Sequence, residues 1–316
     1  MGAYIARRCL LLAPTLLGLT ILAFALGRVS GDPVGALLRG SLEQEPTAAE
    51  VASARKTLGL DRPLPIQYAT WAGRAAHGDL GKSYSHGTPV AQELRHRLVN
   101  TLKLALPAAV LVLVIAVPLG IICAAQRNRL LDRVLRVVSL LGASMPAYWA
   151  SFLLIQLLAV RLHLVPAGGT GGGVGSLVLP VLALTIGPVA VLTRFTRSSM
   201  IDALGNDYIR TASAKGLPWQ LVVERHALRN SLLPLATAFG STFGRLVAGA
   251  AIIENIFSWP GLGSLALSAI REQDFPVLQG FVLFTGVLFV SVNLLIDLSY
   301  SIIDPRVRLG GAAVAR

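Results

Sequence analysis

Residues 104–125 read LALPAAVLVLVIAVPLGIICAA. Not one of these side chains is charged, and the run matches the roughly 20 residues that a helix needs to cross a bilayer at 1.5 Å per residue. Five further stretches have the same character: residues 9–27, 137–160, 176–193, 231–253 and 277–303. In lipid the backbone must satisfy its own hydrogen bonds, so runs of this kind are expected to be helical. Pro14, Pro107, Pro118, Pro146, Pro180 and Pro188 fall in or at the ends of these runs, which a membrane bundle tolerates better than a soluble helix does. Composition agrees: 54% of residues are hydrophobic, 14% are charged, and mean hydropathy is +0.66. The fold class that follows is all-α integral membrane, with six transmembrane helices.

Arg7-Arg8 ahead of an apolar run resembles a signal peptide, and Ala23-Phe24-Ala25 offers a small-x-small site. That site lies inside the run, however, and five more spans follow, so the first helix is read as retained. With the N-terminus inside, residues 1–8, 126–136, 194–230 and 304–316 are cytoplasmic and hold 15 Lys/Arg against 5 Asp/Glu. The two short external loops hold only Arg161 and Arg271 as basic residues. The positive-inside rule therefore places both termini in the cytoplasm, with residues 28–103 as a long external loop. The net charge of +12 is accounted for by this topology, and nucleic-acid binding is not expected.

Chemistry-bearing clusters are sparse. His77, His86, His96, His163 and His226 are scattered without ligand spacing, and Cys9 and Cys123 lie in apolar runs as small hydrophobes. Gly168-Gly169-Thr170-Gly171-Gly172-Gly173 lacks the Gly-Lys-Ser/Thr ending of a phosphate loop and reads as a flexible linker. With no ATP site in the chain, an energy source must be a partner or an ion gradient. A gradient-driven carrier usually shows acidic residues within its spans; here the ionisable residues there are Lys103 at an edge, Arg245 and Asp297. Asp297 sits near the inner end of its span. Arg245 lies near mid-membrane, where it faces a cavity, meets a partner or snorkels.

The connection at 194–230 is long, basic and rich in small residues. Its centre is Asp207-Tyr208-Ile209-Arg210-Thr211-Ala212-Ser213-Ala214-Lys215-Gly216. Ala212, Ser213 and Ala214 keep a helix slim enough for a groove, Gly216 followed by Pro218 is a helix stop, and Arg210 and Lys215 offer charge-assisted contacts. From these residues alone the stretch is either a docking element or basic ballast for topology.

A series of motifs in order carries a resemblance over nearly the whole chain. They are Gly31-Asp32-Pro33, Leu58-Gly59-Leu60-Asp61-Arg62-Pro63-Leu64-Pro65-Ile66-Gln67-Tyr68, Gly78-Asp79-Leu80-Gly81, Asn100-Thr101-Leu102, and Ser144-Met145-Pro146 with Tyr148-Trp149. Further on stand Arg194-Phe195-Thr196-Arg197-Ser198-Ser199-Met200, Glu254-Asn255-Ile256-Phe257-Ser258-Trp259-Pro260-Gly261-Leu262-Gly263, Asp274-Phe275-Pro276 and Asp304-Pro305-Arg306. The chain resembles the B-type permease of bacterial ATP-binding-cassette importers of the dipeptide/oligopeptide/nickel family.

The resemblance implies a type I importer permease domain over residues 9–303 in the bacterial inner membrane, with a short tail at 304–316. It implies a non-catalytic subunit that forms half of a passage for short peptides; nickel chelates, glutathione or another small solute are the alternative cargo, and a secondary transporter or channel is the rival class. Implied partners are a homologous C-type permease, two ATPase subunits (or one fused ATPase) that bind ATP and magnesium, and an external substrate-binding protein. The loop at 194–230 then carries the coupling helix, with Asp207, Arg210, Thr211, Ala212, Ala214, Lys215 and Gly216 as its ATPase-facing residues. Arg210-Thr211-Ala212 stands where the wider superfamily has Glu-Ala-Ala. Arg245, Glu254 and Trp259 are the candidate passage or gate residues: Glu254 to meet a peptide amine, and Trp259 as a gate, a binding-protein surface or an interfacial anchor.

Overall fold

A computed structural model describes residues 2–29, 34, 47–57 and 59–303, with side chains at 13–27, 34, 47–53, 55–57, 59–232 and 234–294. Gly31-Asp32-Pro33, Leu58, Asp304-Pro305-Arg306, the tail at 304–316 and the side chains of Cys9 and Asp297 lie outside these residues. The described chain is built of helices and has no strand beyond an isolated bridge between Lys82 and Pro89.

In order the helices are α1 (Gly2–Val29), α2 (Ala48–Thr57), α3 (Leu64–Ala76), α4 (Val90–Ala125) and α5 (Leu130–Ser144). α6 begins as Ala147–Leu154 and continues in π-helical form as Ile155–Arg161; α7 is Gly175–Leu204 and α8 is Asp207–Ala214. α9 opens at Trp219–Leu221, passes through a π-helical stretch at Val222–Leu228 and runs on as Arg229–Ile256. α10 (Leu262–Glu272) and α11 (Phe275–Ile303) complete the series.

Four of the six apolar stretches are single helices long and apolar enough to cross a membrane: α4, α7, α9 over Pro234–Ile256, and α11 over Phe275–Leu294. The first stretch lies in α1, whose described apolar part is Ala13–Gly27. The third is a correction. Residues 137–160 are not one straight helix but the second half of α5 and nearly all of α6, two helices bent by 102°. Pro146 is the cause: the residue before a proline is pushed out of the helical region, and Met145 is extended at φ −76°, ψ 119°.

The helices also outrun the apolar stretches. α4 begins 14 residues before residue 104, and α7 continues 11 residues past residue 193. Hydropathy marks where lipid begins, whereas helical hydrogen bonding continues into water until a cap or breaker stops it. The basic connection at 194–230 is therefore mostly the extended ends of α7 and α9. What truly links them is residues 205–218, with α8 in the middle.

The chain divides into two compact units, residues 1–100 with 260–291 and residues 101–259 with 292–316. In the first, α3 lies on α1 through Phe24, whose ring meets Tyr68 edge-on at 5.6 Å and Trp71 at 5.9 Å. Val90 and Leu94 join Leu262, Leu265, Ala269 and Val277 in this unit's buried cluster. In the second, Leu104, Ala108, Val112 and Ala116 recur every fourth residue, so they share one face of α4. That face is buried in a cluster with Leu184 and Leu192 of α7 and Leu246 and Ile253 of α9. A Cβ on Gly120 would collide with the Thr196 side chain, so α4 and α7 cross closely there.

The glycine run after α6 is more constrained than a flexible linker. Gly169 donates its backbone N–H to the Phe257 carbonyl at 2.7 Å with φ +77°, and a Cβ on Gly168 would lie 2.7 Å from that same oxygen. Glycine is needed here for close approach of two backbones.

Candidate coupling site and passage

Helix α8 starts after Asn206, which is extended at φ −79°, ψ 154°. Its C-terminal end is closed by Gly216 at φ +77°, and the Lys215, Gly216 and Leu217 amides bond back to the Thr211, Ser213 and Ala212 carbonyls at 3.1, 3.0 and 3.4 Å. A Cβ at Gly216 would meet nothing within 4 Å. The glycine is required by its left-handed backbone and not by crowding within this chain.

Two side chains three residues apart fasten α8 to the bundle. Ile209 and Ala212 are buried in a cluster with Ala124 of α4, Met200 and Ala203 of α7, and Val222, Val223 and Ala227 of α9. Burying the isoleucine contributes about 2 kcal/mol. Asp207, Tyr208, Arg210, Thr211, Ser213, Ala214, Lys215 and Gly216 are exposed. Of the predicted docking residues, Ala212 is thus corrected: it faces its own chain and anchors the helix, while the other six look outward. Arg210 and Asp207 approach at 3.5 Å with both side chains largely in solvent, a pairing of little energetic weight.

Beside α8 lies a groove of about 450 Å³ between the ends of α7 and α9, lined by Ser198, Asp202, Tyr208, Asn230, Ser231 and Pro234 among others. An ion pair that sequence spacing does not signal braces the same end of the unit. Arg197 of α7 donates through Nε and Nη2 to the two carboxylate oxygens of Asp132 of α5, at 2.6 and 2.9 Å. The Asn128 amide donates to Asp132 Oδ2 at 2.9 Å, and the aspartate is fully buried. This forked geometry is the strong form of such a pair.

The three candidate passage residues separate. Glu254 is fully buried, and its carboxylate accepts the Thr101 hydroxyl at 2.6 Å. Trp259 is buried in the core cluster, and its amide donates to the Glu254 carbonyl at 2.7 Å. Both belong to the chain's interior, so neither the open mouth expected for Glu254 nor the surface expected for Trp259 is present. Arg245 alone is exposed; its Nη2 donates to the Thr242 hydroxyl at 3.1 Å.

Other motif residues prove structural. Asn100 donates to the Pro260 carbonyl at 3.0 Å. Asp274, buried before α11, accepts the Ser83 hydroxyl at 2.5 Å, the Ser85 amide at 3.2 Å and the Val277 amide at 3.3 Å. Ser83 stood outside every motif, and no local pattern points to a partner 191 positions away.

A family profile described as "Binding-protein-dependent transport system inner membrane component" matches residues 116–309. A Brucella suis biovar 1 (strain 1330) protein named as a peptide permease is 41% identical over 98% of this chain and all of its own length. The dipeptide transport system permease protein DppB of Escherichia coli (strain K12) is 38% identical over 98% of this chain and 99% of its own. Among solved structures, a chain of the MetNI methionine ABC transporter in an inward-facing form is 18% identical. It matches 67% of this chain and 96% of its own, with a TM-score of 0.57, a likeness of fold.

Proposed function

The chain belongs to the family of binding-protein-dependent transport system inner membrane components, the permeases of ATP-binding-cassette importers, and on that premise we propose that its cargo is short peptides. Peptide permeases among its relatives at 38–41% identity, matched end to end, support that cargo. In this reading it pairs with a homologous second permease and the two enclose the passage. Two ATPase domains beneath it bind ATP and magnesium, and an external binding protein delivers the peptide. The excess of basic residues places α8 on the cytoplasmic side, where the ATPases are.

The observation that carries the coupling role is the two-sided construction of α8. Ile209 and Ala212 fasten it to α4, α7 and α9 at once, while Asp207, Arg210, Thr211, Ala214, Lys215 and Gly216 are left outside. A push on α8 from an ATPase therefore reaches three membrane helices together, because a close-packed cluster moves as a body. Closure of the ATPases on ATP draws the coupling helices together and opens the passage outward; hydrolysis reverses the movement. The permease contributes linkage and passage, and no covalent step.

The test is reconstitution of the two permeases and ATPases in vesicles with the binding protein. Peptide-loaded binding protein is expected to stimulate ATP hydrolysis severalfold over the unloaded form. Import that persists after removal of the ATPases would instead mark a secondary transporter or channel.

A further inference from the structure

Two helices of the same unit show opposite exposed faces. On α4 that face carries Leu106, Val110 and Val114, 51%, 60% and 63% exposed, an apolar stripe suited to lipid. On α9 it carries Thr237, Ser241, Arg245, Ala248, Ile252 and Asn255, whose steps of three and four residues put them on one side of the helix. Four of these six are polar. The mean hydropathy of Pro234–Ile256 is 1.3, against 2.8 for α4. Arg245 lies 11 residues from each end of that segment, about 16 Å in either direction at 1.5 Å per residue, and so near the centre of a hydrocarbon layer about 30 Å thick.

An arginine at that depth is costly against lipid, and snorkelling serves residues near helix ends. The Thr242 hydroxyl takes one of its five N–H donors, and no carboxylate of the described residues forms an ion pair with it. At the foot of the same face, Pro234 is also a wall of the groove between α7 and α9, so the stripe from Arg245 through Ser241 and Thr237 continues to an opening lined by Ser198, Asp202, Asn230 and Ser231 beside apolar residues such as Phe195.

We propose that this face of α9 lines the water-filled passage and that Arg245 is its carboxylate subsite, binding the C-terminal carboxylate of the peptide in transit. The inference rests on the importer reading. A guanidinium matches a carboxylate through two parallel N–H···O bonds. The terminal carboxylate is common to all unmodified peptides whatever their side chains, so one arginine can serve a varied cargo.

The experiment uses the complete importer in vesicles and one peptide in two forms, with a free C-terminus and as the C-terminal amide. Each is titrated against the binding protein first, so that the binding protein's own preference is divided out of the import rates. The wild-type complex is expected to import the free acid about tenfold faster than the amide. Arg245→Gln is expected to slow the acid to the rate of the amide and leave the amide's rate where it was, with Arg245→Lys between. Equal slowing of both forms, with loss of co-purification of the second permease, would overturn the proposal and make Arg245 an interface residue. Unchanged rates in Arg245→Gln would overturn it in favour of a group that only faces headgroups. A wild-type complex that imports neither form in an ATP-dependent way would remove the importer reading itself.

Discussion

On α8 and the turn that ends it, the motif residues Asp207, Arg210, Lys215 and Gly216 face away from the chain, whereas Glu254 at the far end of α9 and Asp274 before α11 are shut inside it. Both groups come from stretches that looked equally informative as sequence. The first group has its side chains in solvent, with only a weak exposed pair between Asp207 and Arg210, and its anchoring is done by the apolar Ile209 and Ala212. In the second, each carboxylate is occupied by partners from distant segments, Thr101 for Glu254 and Ser83 with Ser85 for Asp274. A docking element needs free polar groups on a firm base; a structural element consumes them. The contrast predicts that substitutions in the first group disturb coupling without stability, and in the second stability before anything else.

The sharpest test is Gly216→Arg. Its left-handed backbone strains any residue with a Cβ by about 1 kcal/mol, too little to unfold the chain, yet the side chain would project from the docking face. Stimulation of ATP hydrolysis by loaded binding protein should fall at least tenfold while membrane insertion is unchanged. Gly216→Asn, which tolerates this conformation better, should lose much less. Normal coupling in the arginine variant would dissolve the contrast from the α8 side. Next in size is Asp274→Ala, which leaves the Ser83, Ser85 and Val277 donors without their acceptor and should cost about 3 kcal/mol. Thermal unfolding in detergent should show it as a midpoint lower by several degrees.

Thr101→Val is the milder version at the other carboxylate. Removing the Thr101 hydroxyl that donates to the buried Glu254 carboxylate should cost about 2 kcal/mol, again read as a lower melting midpoint. If the midpoint held and transport fell, Glu254 would return to the passage. Smallest is Arg210→Ala. Its partner Asp207 is itself exposed, so the midpoint should not move, while stimulated hydrolysis falls a few-fold through a lost contact with the ATPase. A stability change without a coupling change would show that Arg210 serves its own chain.

The existence of the membrane helices was legible because lipid imposes one requirement on every residue of a span, and apolar runs such as 104–125 record it locally. Gly216 was equally legible, since a left-handed helix end demands glycine wherever it occurs. The place of Pro146 was visible too, but the 102° bend was not, because a proline in a membrane helix can kink it, break it or be absorbed by neighbours. The length of the coupling connection was overread, since the charge at 194–204 that ends the apolar run does not end the helix.

Composition and ordered motifs were sufficient for class and family, for each is a sum over neighbours in the chain. Which residues are spoken for was decided by packing. Ala212 turned inward and Arg210 outward because Ile209 and Ala212 fit the cluster formed by α4, α7 and α9. Glu254 became a buried acceptor because Thr101, 153 positions away, comes to it. Arg245 kept its exposed face because no described carboxylate pairs with it. Such choices depend on contacts between distant segments, and the free energy that selects them comes into being only when those segments meet.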